Sequence, residues 1–257
     1  MSREETTTAP PTWREPTAAL RGSVVVLAGR GEGEAVYERF ATRLAFDGYR
    51  VAVLADAAAE LEKTVAVAAA LLAERDDVPR ILVGSDTGAS AVVTLLAEGR
   101  LFADVAVLAG LPAAGGVTKP VAGGLDWEQE LSLRSACPVH RGALERAGSL
   151  TPGALARRDA LADGVDTRLA SGVLVPVLAL HGAADEVSQV AAALELYRAV
   201  PDAEIQLVEG GRHDILNDVT HRSVAATVVL FLERLRTPGR PPVVVPATRE
   251  EGRLVWA

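Results

Sequence analysis

A five-residue turn after a short apolar run constrains this chain more than any other feature. The run is Ile81-Leu82-Val83, and the turn reads Gly84-Ser85-Asp86-Thr87-Gly88. A small-x-nucleophile-x-small turn between a strand and a helix is a nucleophile elbow, which pushes its central side chain into a pocket. Only small residues fit two positions before and after the centre, because the backbone folds tightly there. The two glycines satisfy this condition around Asp86, so the pattern predicts aspartate as the central residue.

The neighbouring serine offers a second register for the same turn. With Ser85 at the centre, the flanking positions would hold Val83 and Thr87, whose β-branched side chains are stiff. The spacing of small residues therefore favours Asp86. Aspartate is also a favoured N-cap residue, so a purely capping role for Asp86 remains an alternative.

Composition indicates an ordinary globular chain with an acidic balance. The 257 residues are 49% hydrophobic and 23% charged, and the net charge is −8. This length fits one large domain or two small ones. The negative charge argues against a nucleic-acid partner, which would require basic clusters. Because Cys137 is the only cysteine, an internal disulfide and a cysteine-based zinc site are excluded.

No segment has the pattern of a signal peptide or a membrane-spanning helix. The first 20 residues mix Glu, Thr and Pro and lack an apolar run. The apolar stretch Val65–Ala73 is too short to cross a bilayer. We expect a cytoplasmic protein that acts on a small molecule and has no membrane partner, no cofactor and no metal. The sequence leaves the oligomeric state open.

Short β-rich runs alternate with helical patterns along most of the chain. The predicted strands are Ser23–Ala28, Arg50–Leu54, Arg80–Val83, Val105–Ala109, Leu174–Leu180 and Ile205–Val208. Helical patterns follow most of them, for example Val36, Phe40 and Leu44 at intervals of four residues. This alternation predicts an α/β fold with a mostly parallel sheet of six or more strands and helices on both faces.

One segment interrupts the alternation. Residues 113–172 contain Gly, Pro and charged residues without a strong strand pattern, and they are too many for a plain loop. We predict a small, mainly helical cap over the carboxyl edge of the sheet. The core then comprises residues 21–112 and 173–237. Residues 1–20 are expected to form a disordered tail, and the proline-rich residues 238–257 an extended one.

Polar residues at the ends of later strands extend the prediction from fold to chemistry. Asp185 follows the strand that ends near Leu180, and His213 follows the last predicted strand. The chain order Asp86, Asp185, His213 is nucleophile, acid, histidine. The carboxyl ends of parallel strands converge, so a histidine can meet both a nucleophile and an orienting carboxylate. Asp185 as a cap and His213 as an ordinary loop residue are the structural alternatives.

The turn after the first strand supplies the fourth part of the predicted site. It reads Ala28-Gly29-Arg30-Gly31-Glu32, and a glycine-rich turn lets backbone N–H groups point into a pocket. Together with the N–H of Thr87, this loop is expected to form an oxyanion hole, with Gly29 in the turn and Arg30 as the loop donor.

These pieces together resemble the α/β-hydrolase superfamily across about residues 22–237. The segments that carry the resemblance are Leu27–Glu32, Tyr37–Phe40, Gly48–Val51, the elbow, His181–Asp185 and Gly211–Asp214. The nearest group is that of lysophospholipases, monoacylglycerol lipases and serine-aminopeptidase-like proteins. That group has serine where this chain has Asp86, and a histidine is common where this chain has Ala28.

The resemblance implies a choice of chemistries. Aspartate elbows are typical of haloalkane dehalogenases and epoxide hydrolases, in which the carboxylate forms an ester that histidine-activated water cleaves. The cap tyrosines that epoxide hydrolases use are absent from residues 113–172, and Trp127 is the only tryptophan there that could bind a halide. Three functions therefore remain: a hydrolase of a small organic substrate through Asp86, His213 and Asp185, a proton-transferring biosynthetic enzyme of cyclase or isomerase type, and a non-catalytic ligand-binding protein.

Overall fold

A six-stranded parallel sheet forms the centre of the computed structural model, which describes residues 12–114, 124–240, 247–250 and 253–256. The strands are β1 (Gly22–Leu27), β2 (Tyr49–Leu54), β3 (Arg80–Ser85), β4 (Val105–Ala109), β5 (Val177–Gly182) and β6 (Ala203–Val208). Their order across the sheet is β2-β1-β3-β4-β5-β6, and every neighbouring pair is parallel. The predicted α/β fold is confirmed.

The helices lie on both faces of the sheet and in the segment before β5. In chain order they are α1 (Glu38–Phe46), α2 (Leu61–Ala73), α3 (Thr87–Ala97), α4 (Trp127–Arg134), α5 (Pro138–Leu144), α6 (Thr167–Ala170), α7 (Val190–Ala199) and α8 (His221–Leu235). Two short 3₁₀ helices, Glu34–Tyr37 and Ala154–Ala156, lie before α1 and before α6.

The strands divide the core into two layers because successive side chains point to opposite faces. Val25 and Leu27 of β1 belong to the layer that includes α2, α3 and α7, whereas Val24 and Val26 belong to the layer that includes α1 and α8. All four of these side chains are fully buried. Strands buried on both faces explain why the sequence shows continuous apolar runs rather than alternation.

The strand order reverses between β1 and β3. From β1 the chain goes to β2 on one side, and it then returns to β3 on the other side. In open α/β sheets, ligands bind at the carboxyl ends of the strands at such a switch point. The turn that contains Arg30 follows β1, and the turn that contains Asp86 follows β3, so the fold places both turns at this position.

The strand predicted from Leu174 begins three residues later, at Val177. Leu174 is 81% exposed and lies outside the sheet. Pro176 directly precedes the strand, and its carbonyl oxygen already accepts a hydrogen bond from the N–H of Ala106. Proline has no N–H to continue the ladder, which accounts for the later start.

Between β4 and β5, none of the described residues belongs to the six-stranded sheet. The segment contains α4, α5 and α6, and one isolated bridge joins Ala113 to Val165. Residues 115–123 of the predicted cap lie outside the described part of the chain. The division into a core and a cap at 113–172 remains a prediction.

Toward the carboxyl terminus, residues Ala247–Glu250 and Arg253–Trp256 pair as two antiparallel strands, β7 and β8. They form a separate sheet within the segment predicted as an extended tail. Val243–Val245, considered as an edge strand, lies outside the described residues. Among the described helices, none combines the length and apolar character required to cross a bilayer.

Candidate active site

The turn after β3 has the backbone geometry of a strained elbow. Asp86 has φ of +50° and ψ of −122°, a conformation that residues with a side chain rarely adopt. A Cβ atom on Gly84 would lie 2.5 Å from the Cα of Ala89, and one on Gly88 would lie 2.0 Å from the carbonyl oxygen of Leu27. Both distances are too short for any side chain, so the spacing of glycines around Asp86 has a steric cause.

Asp86 is not a side-chain cap of α3. It occupies the N-cap position, but its carboxylate accepts no hydrogen bond from the first turn of the helix. The strained backbone instead directs the side chain away from the helix, toward the loop after β1 and toward His213. The capping alternative is therefore wrong for this residue.

His213 lies between two carboxylates. Its Nδ1 is 2.8 Å from Oδ2 of Asp185, and its Nε2 is 3.2 Å from Oδ1 of Asp86. Nε2 has no well-aligned hydrogen-bond partner among the described residues, so its contact with Asp86 is a close ion pair. All three side chains are buried. The structure thus brings together the three residues that the sequence predicts as nucleophile, acid and base.

The two oxygens of Asp185 have separate partners. Oδ1 accepts hydrogen bonds from the backbone N–H groups of Val187 and Ser188, at 2.8 and 3.0 Å. Oδ2 contacts His213 and also lies 3.3 Å from Nε2 of His181. Asp185 therefore both closes the turn after β5 and orients the histidine. The two backbone hydrogen bonds thereby hold the carboxylate in place beside the His213 ring.

A buried arginine binds the carboxylate of Asp86 at both oxygens. Arg30 donates from Nε to Oδ2 at 2.7 Å and from Nη2 to Oδ1 at 2.6 Å. The backbone N–H of Arg30 donates to the same Oδ2 at 3.1 Å. Arg30 has no exposed surface, and Asp86 is 1% exposed. A bidentate guanidinium–carboxylate pair in a buried site is a strong, directional contact.

These contacts shift the pKa values of Asp86 and His213 in opposite directions. Burial alone would raise the pKa of Asp86, but Arg30 and His213 lower that pKa well below its ordinary value. Burial alone would lower the pKa of His213, but Asp185 and Asp86 raise it to about 10. At neutral pH these shifts favour an ionised Asp86 beside a protonated His213.

The raised pKa of His213 predicts a pH-dependent contribution to stability. Because the pKa is about 10 in the folded chain and near 6.5 when unfolded, the contribution is complete below pH 6.5 and is lost as the pH rises toward 10. We expect the difference in free energy of unfolding between the wild type and His213→Gln to shrink over this interval. Urea unfolding of both proteins across the interval measures it, and a difference that grows with pH would contradict the assignment.

The predicted oxyanion donors have unequal roles in the structure. The N–H of Gly29 donates to Oε2 of Glu32 and to the Tyr37 hydroxyl, at 3.0 and 3.2 Å, so it stabilises the turn. The N–H of Arg30 is the loop donor that reaches Asp86. Thr87 is buried at the first position of α3, and its hydroxyl has no hydrogen-bond partner among the described residues. A role for Thr87 and Gly29 in binding an oxyanion remains a proposal.

A buried charge network behind this loop was not predicted. Arg134 of α4 donates to the carbonyl oxygen of Arg30 at 2.8 Å and to Oε1 of Glu32 at 3.1 Å. It also lies 3.4 Å from Glu130 and 3.5 Å from Asp214, the neighbour of His213. Arg134 and Glu130 are fully buried. Their four-residue spacing on one helix is the sole sequence signal of this network.

Burial gives Glu32 an unusual protonation equilibrium. Desolvation and the nearby Asp214 charge raise its pKa to about 8, although Arg134 and Tyr37 act in the opposite direction. Asp214 has a lowered pKa because Arg134 and His140 offset the effect of its burial. His140, considered as a solvated or site-lining residue, is buried and lies 2.9 Å from Asp214.

The side chains at the centre of the candidate site are covered in this structure. Asp86, Arg30 and His213 are each at most 1% exposed. Segments that follow β4 contact Arg30 from above. Arg134 donates a hydrogen bond to the carbonyl oxygen of Arg30, and the carbonyl oxygen of Leu155 accepts one from Nη1 of Arg30. In this structure the described segment around α4 and residues 154–156 therefore helps to shield these side chains from solvent.

Solved structures resemble most of this chain. A monoglyceride lipase from Saccharomyces cerevisiae superposes with a TM-score of 0.70 and 15% identity, over 87% of this chain and 91% of the lipase. A carboxyl esterase from Bacillus coagulans superposes with a TM-score of 0.69 and 14% identity, over 86% of this chain and 92% of the esterase. A monoacylglycerol lipase from Paleococcus ferrophilus superposes with a TM-score of 0.64 and 17% identity, over 85% of this chain and 98% of that lipase. The chain has the α/β-hydrolase fold. The resemblance predicted from the sequence is confirmed at that level.

Within the α/β-hydrolase fold, sequence similarity to a family is local. The sequence model of the serine aminopeptidase S33 family matches residues 158–220, about a quarter of the chain. That segment contains Asp185 and His213, and Asp86 lies outside it. No curated protein sequence matches this chain.

Proposed function

We propose that this α/β-hydrolase-fold chain is a hydrolase of a small organic substrate, with Asp86 as nucleophile, His213 as base and Asp185 as the carboxylate that orients it. The contact of one imidazole ring with both carboxylates, at 3.2 and 2.8 Å, carries the proposal. A nucleophile, a base within its reach and a third group that orients the base are the requirements of covalent catalysis.

The first step forms an ester on Asp86. Oδ2 accepts two hydrogen bonds from Arg30, whereas Oδ1 accepts one, from Nη2, so Oδ1 is the less tightly held oxygen and the one that attacks a carbon of the substrate. The Oδ1–carbon bond forms as the bond to the leaving group breaks, and the leaving group departs with the electron pair.

The scissile bond is an ester, epoxide or carbon–halogen bond. With an alkyl halide or an epoxide the attacked carbon is saturated and the intermediate is an ester; the epoxide oxygen stays in the substrate and takes the proton of His213. With an ester the attacked carbon is a carbonyl, the alcohol departs, and the intermediate is a mixed anhydride that the second step hydrolyses in the same way.

The second step hydrolyses this ester. Esterification removes the charge of Asp86, which is one of the two carboxylates that keep His213 protonated. The imidazolium proton passes to the leaving group or to water, and the neutral ring then accepts a proton from a water molecule. The hydroxide adds to Cγ of Asp86, the Cγ–Oδ1 bond breaks, and the departing alkoxide takes the proton of His213 and leaves as an alcohol. The carboxylic acid formed on Asp86 then gives its proton to His213, which restores the resting site.

The Arg30–Asp86 ion pair favours a second candidate function. The pKa of Asp86 is far below its ordinary value, and its carboxylate accepts two side-chain hydrogen bonds from a buried guanidinium. Such a carboxylate is a weak nucleophile at rest. An α/β-hydrolase fold that binds a small molecule without turning it over would have no need to free this carboxylate. Isotope labelling separates the two functions.

A single turnover in ¹⁸O-water tests the proposal. Enzyme in excess is treated with a panel of small esters, epoxides and alkyl halides, and its peptides are analysed by mass spectrometry. We expect one ¹⁸O atom in the peptide with Asp86 and none in the first-turnover product, because water attacks Cγ of Asp86 rather than the substrate. Asp86→Asn is the control and should acquire no label.

Two other results would contradict the proposal. Label in the product without label in the peptide would mean that water attacks the substrate directly. No turnover of any panel member, combined with stabilisation of the protein by one of them, would favour the binding function.

A further inference from the structure

We infer that His181 is a positioning residue of the candidate site, a second and neutral imidazole that shares the carboxylate of Asp185 with His213. Its Nε2–H lies beside the oxygen of Asp185 that binds His213, and it weakens the attraction of that oxygen for the His213 proton. This role deepens the proposed function of His213 as base and rests on it. The hydrogen bonds around the His181 ring support the role because they fix the position of the ring proton.

The carbonyl oxygen of Ser188 determines the state of one ring nitrogen. Nε2 of His181 is 2.9 Å from this oxygen. A carbonyl oxygen only accepts hydrogen bonds, so the nitrogen that faces it carries a proton. Both residues are fully buried, where an unpaired carbonyl group is costly. The proton on Nε2 satisfies this group.

The hydroxyl group of Tyr197 determines the state of the other nitrogen. Its oxygen accepts a hydrogen bond from the backbone N–H of Leu111 at 3.2 Å and lies 3.1 Å from Nδ1 of His181. With a lone pair on Nδ1, the hydroxyl proton has an acceptor. With a proton on Nδ1, the fully buried O–H of Tyr197 would have no acceptor among the described residues. The ring is therefore neutral, with its single proton on Nε2.

Burial of His181 favours the same neutral state. Desolvation lowers the pKa of its ring, although Asp185 and the carbonyl oxygen of Ser188 act in the opposite direction. The ring of His213, in contrast, is kept protonated by Asp185 and Asp86. One carboxylate thus contacts two imidazoles in different protonation states.

Both imidazoles meet the same oxygen of Asp185. Oδ2 is 2.8 Å from Nδ1 of His213 and 3.3 Å from Nε2 of His181. Because Nε2 carries the proton, it presents the positive end of the His181 ring dipole to Oδ2. This dipole stabilises the carboxylate and opposes a positive charge on His213. Asp185 therefore attracts the protonated His213 ring less strongly than an unshared carboxylate would.

Ser188 holds the two groups at this distance. Its N–H donates to Oδ1 of Asp185 at 3.0 Å, and its Oγ donates to the carbonyl oxygen of Leu111 at 2.7 Å. With the bond from the N–H of Leu111 to Tyr197, the loop after β4, the turn after β5 and α7 form one closed set of hydrogen bonds around the His181 ring. The fold itself places the Nε2 proton next to Asp185.

A weaker attraction favours the proton transfers of the proposed reaction. The His213 ring gives its proton to the leaving group or to water and then acts as base. Proton transfer is most efficient when the pKa of the group lies near the working pH, and Asp185 and Asp86 raise the pKa of His213 to about 10. The dipole of His181 opposes this increase and brings the pKa of His213 closer to neutral pH.

Nitrogen NMR of the wild type tests the state of the His181 ring. The four histidines are labelled with ¹⁵N and assigned by substitution of each in turn. We expect His181 to have one protonated and one bare ring nitrogen, with the proton on Nε2, throughout the pH range in which the protein is folded. A ring that is doubly protonated at neutral pH, or that carries its proton on Nδ1, would overturn the inference.

His181→Asn and His181→Gln form a matched pair for the effect on His213. Asn places its amide at the position of Nδ1 and keeps an acceptor for Tyr197, whereas Gln places its amide at the position of Nε2 and keeps a donor for Ser188. The His213 ring is observed at the pH at which it is half protonated in the wild type. We expect it to be at least about three-quarters protonated in His181→Asn, a pKa shift of about half a unit, and close to half protonated in His181→Gln.

The charged groups near His213 also include Asp86, Asp214 and, bound to Asp86, Arg30. Substitution at position 181 leaves these groups in place, so their effect on the pKa of His213 is common to the wild type and both variants. For any substrate that turns over, the limb of the kcat/KM profile that reports His213 should move to higher pH in His181→Asn.

Tyr197→Phe is the control for a loosened network. It removes a buried hydroxyl from the same set of hydrogen bonds but leaves Nε2 of His181 beside Asp185. We expect a lower free energy of unfolding with wild-type protonation of His213. No shift in His181→Asn, or an equal shift in Tyr197→Phe, would overturn the inference.

These NMR measurements need no turnover, so they separate this inference from the proposed function. If ¹⁸O from water never enters Asp86 while His181→Asn still increases the protonation of His213, the covalent function fails and the effect of His181 stands. If the label enters Asp86 and the protonation of His213 is unchanged in His181→Asn, the covalent function stands and the role of His181 fails.

Discussion

Replacement of Arg30 by methionine should destabilise the protein by about 3–5 kcal/mol, because it leaves a buried carboxylate without its main partner. Arg30 and Asp86 have 0% and 2% of their side chains exposed. The double variant Arg30→Met/Asp86→Asn removes both charges, and we expect it to recover most of the loss. Urea unfolding of the wild type, the two single variants and the double variant measures the coupling energy directly.

An exposed pair of the same shape provides the control. Arg75 binds both oxygens of Asp77, at 2.7 and 2.6 Å, but the two side chains are 44% and 58% exposed. Arg75→Met should change the free energy of unfolding far less than Arg30→Met does, since exposed ion pairs contribute little. Similar losses for Arg30→Met and Arg75→Met would show that the buried pair does not hold the elbow and loop together.

His213→Gln should convert turnover into a single stoichiometric reaction. The variant retains Asp86 and Arg30, so the ester forms, but it has no base to activate water. We expect ester hydrolysis to fall by about 10³-fold or more, the range for loss of a general base or triad member. The intact mass of the protein should then increase by one substrate moiety, located on the peptide that contains Asp86.

His221→Gln is the matched control for this experiment. His221 begins α8, and its Nδ1 contacts the carbonyl oxygen of Asp218 rather than a carboxylate of the site. It should retain wild-type turnover. Asp86→Asn should form no adduct, because an amide is a poor nucleophile. Turnover by His213→Gln at the wild-type rate would show that the imidazole has no role in the reaction.

Local patterns are sufficient to predict much of this fold and the placement of its polar strand ends. Asp86 is identifiable because the two glycines that flank it meet steric conditions within five residues of chain. Asp185 and His213 are identifiable because each follows a strand, and parallel strands bring their carboxyl ends together. These inferences need only the direction of the strands, not the positions of individual atoms.

Long-range side-chain contacts lie beyond such patterns. The bond from Arg134 to the carbonyl oxygen of Arg30 joins residues 104 positions apart. Nothing in the helix that contains Arg134 indicates that this charge is buried, since a charged residue in a helix is usually solvated. Likewise, the glycine-rich turn predicts that N–H groups point inward, but not that the N–H of Gly29 binds Glu32 while that of Arg30 binds Asp86.

The ion pair at the switch point has a consequence for how this elbow can change over evolution. A serine at position 86 alone would leave the guanidinium of Arg30 buried and unpaired, and loss of the guanidinium alone would leave the carboxylate unpaired. Neither single substitution is a stable intermediate between an aspartate elbow and a serine elbow. The loop after β1 and the turn after β3 must therefore vary together, so relatives of this chain with Asp at the elbow should also have Arg in the loop.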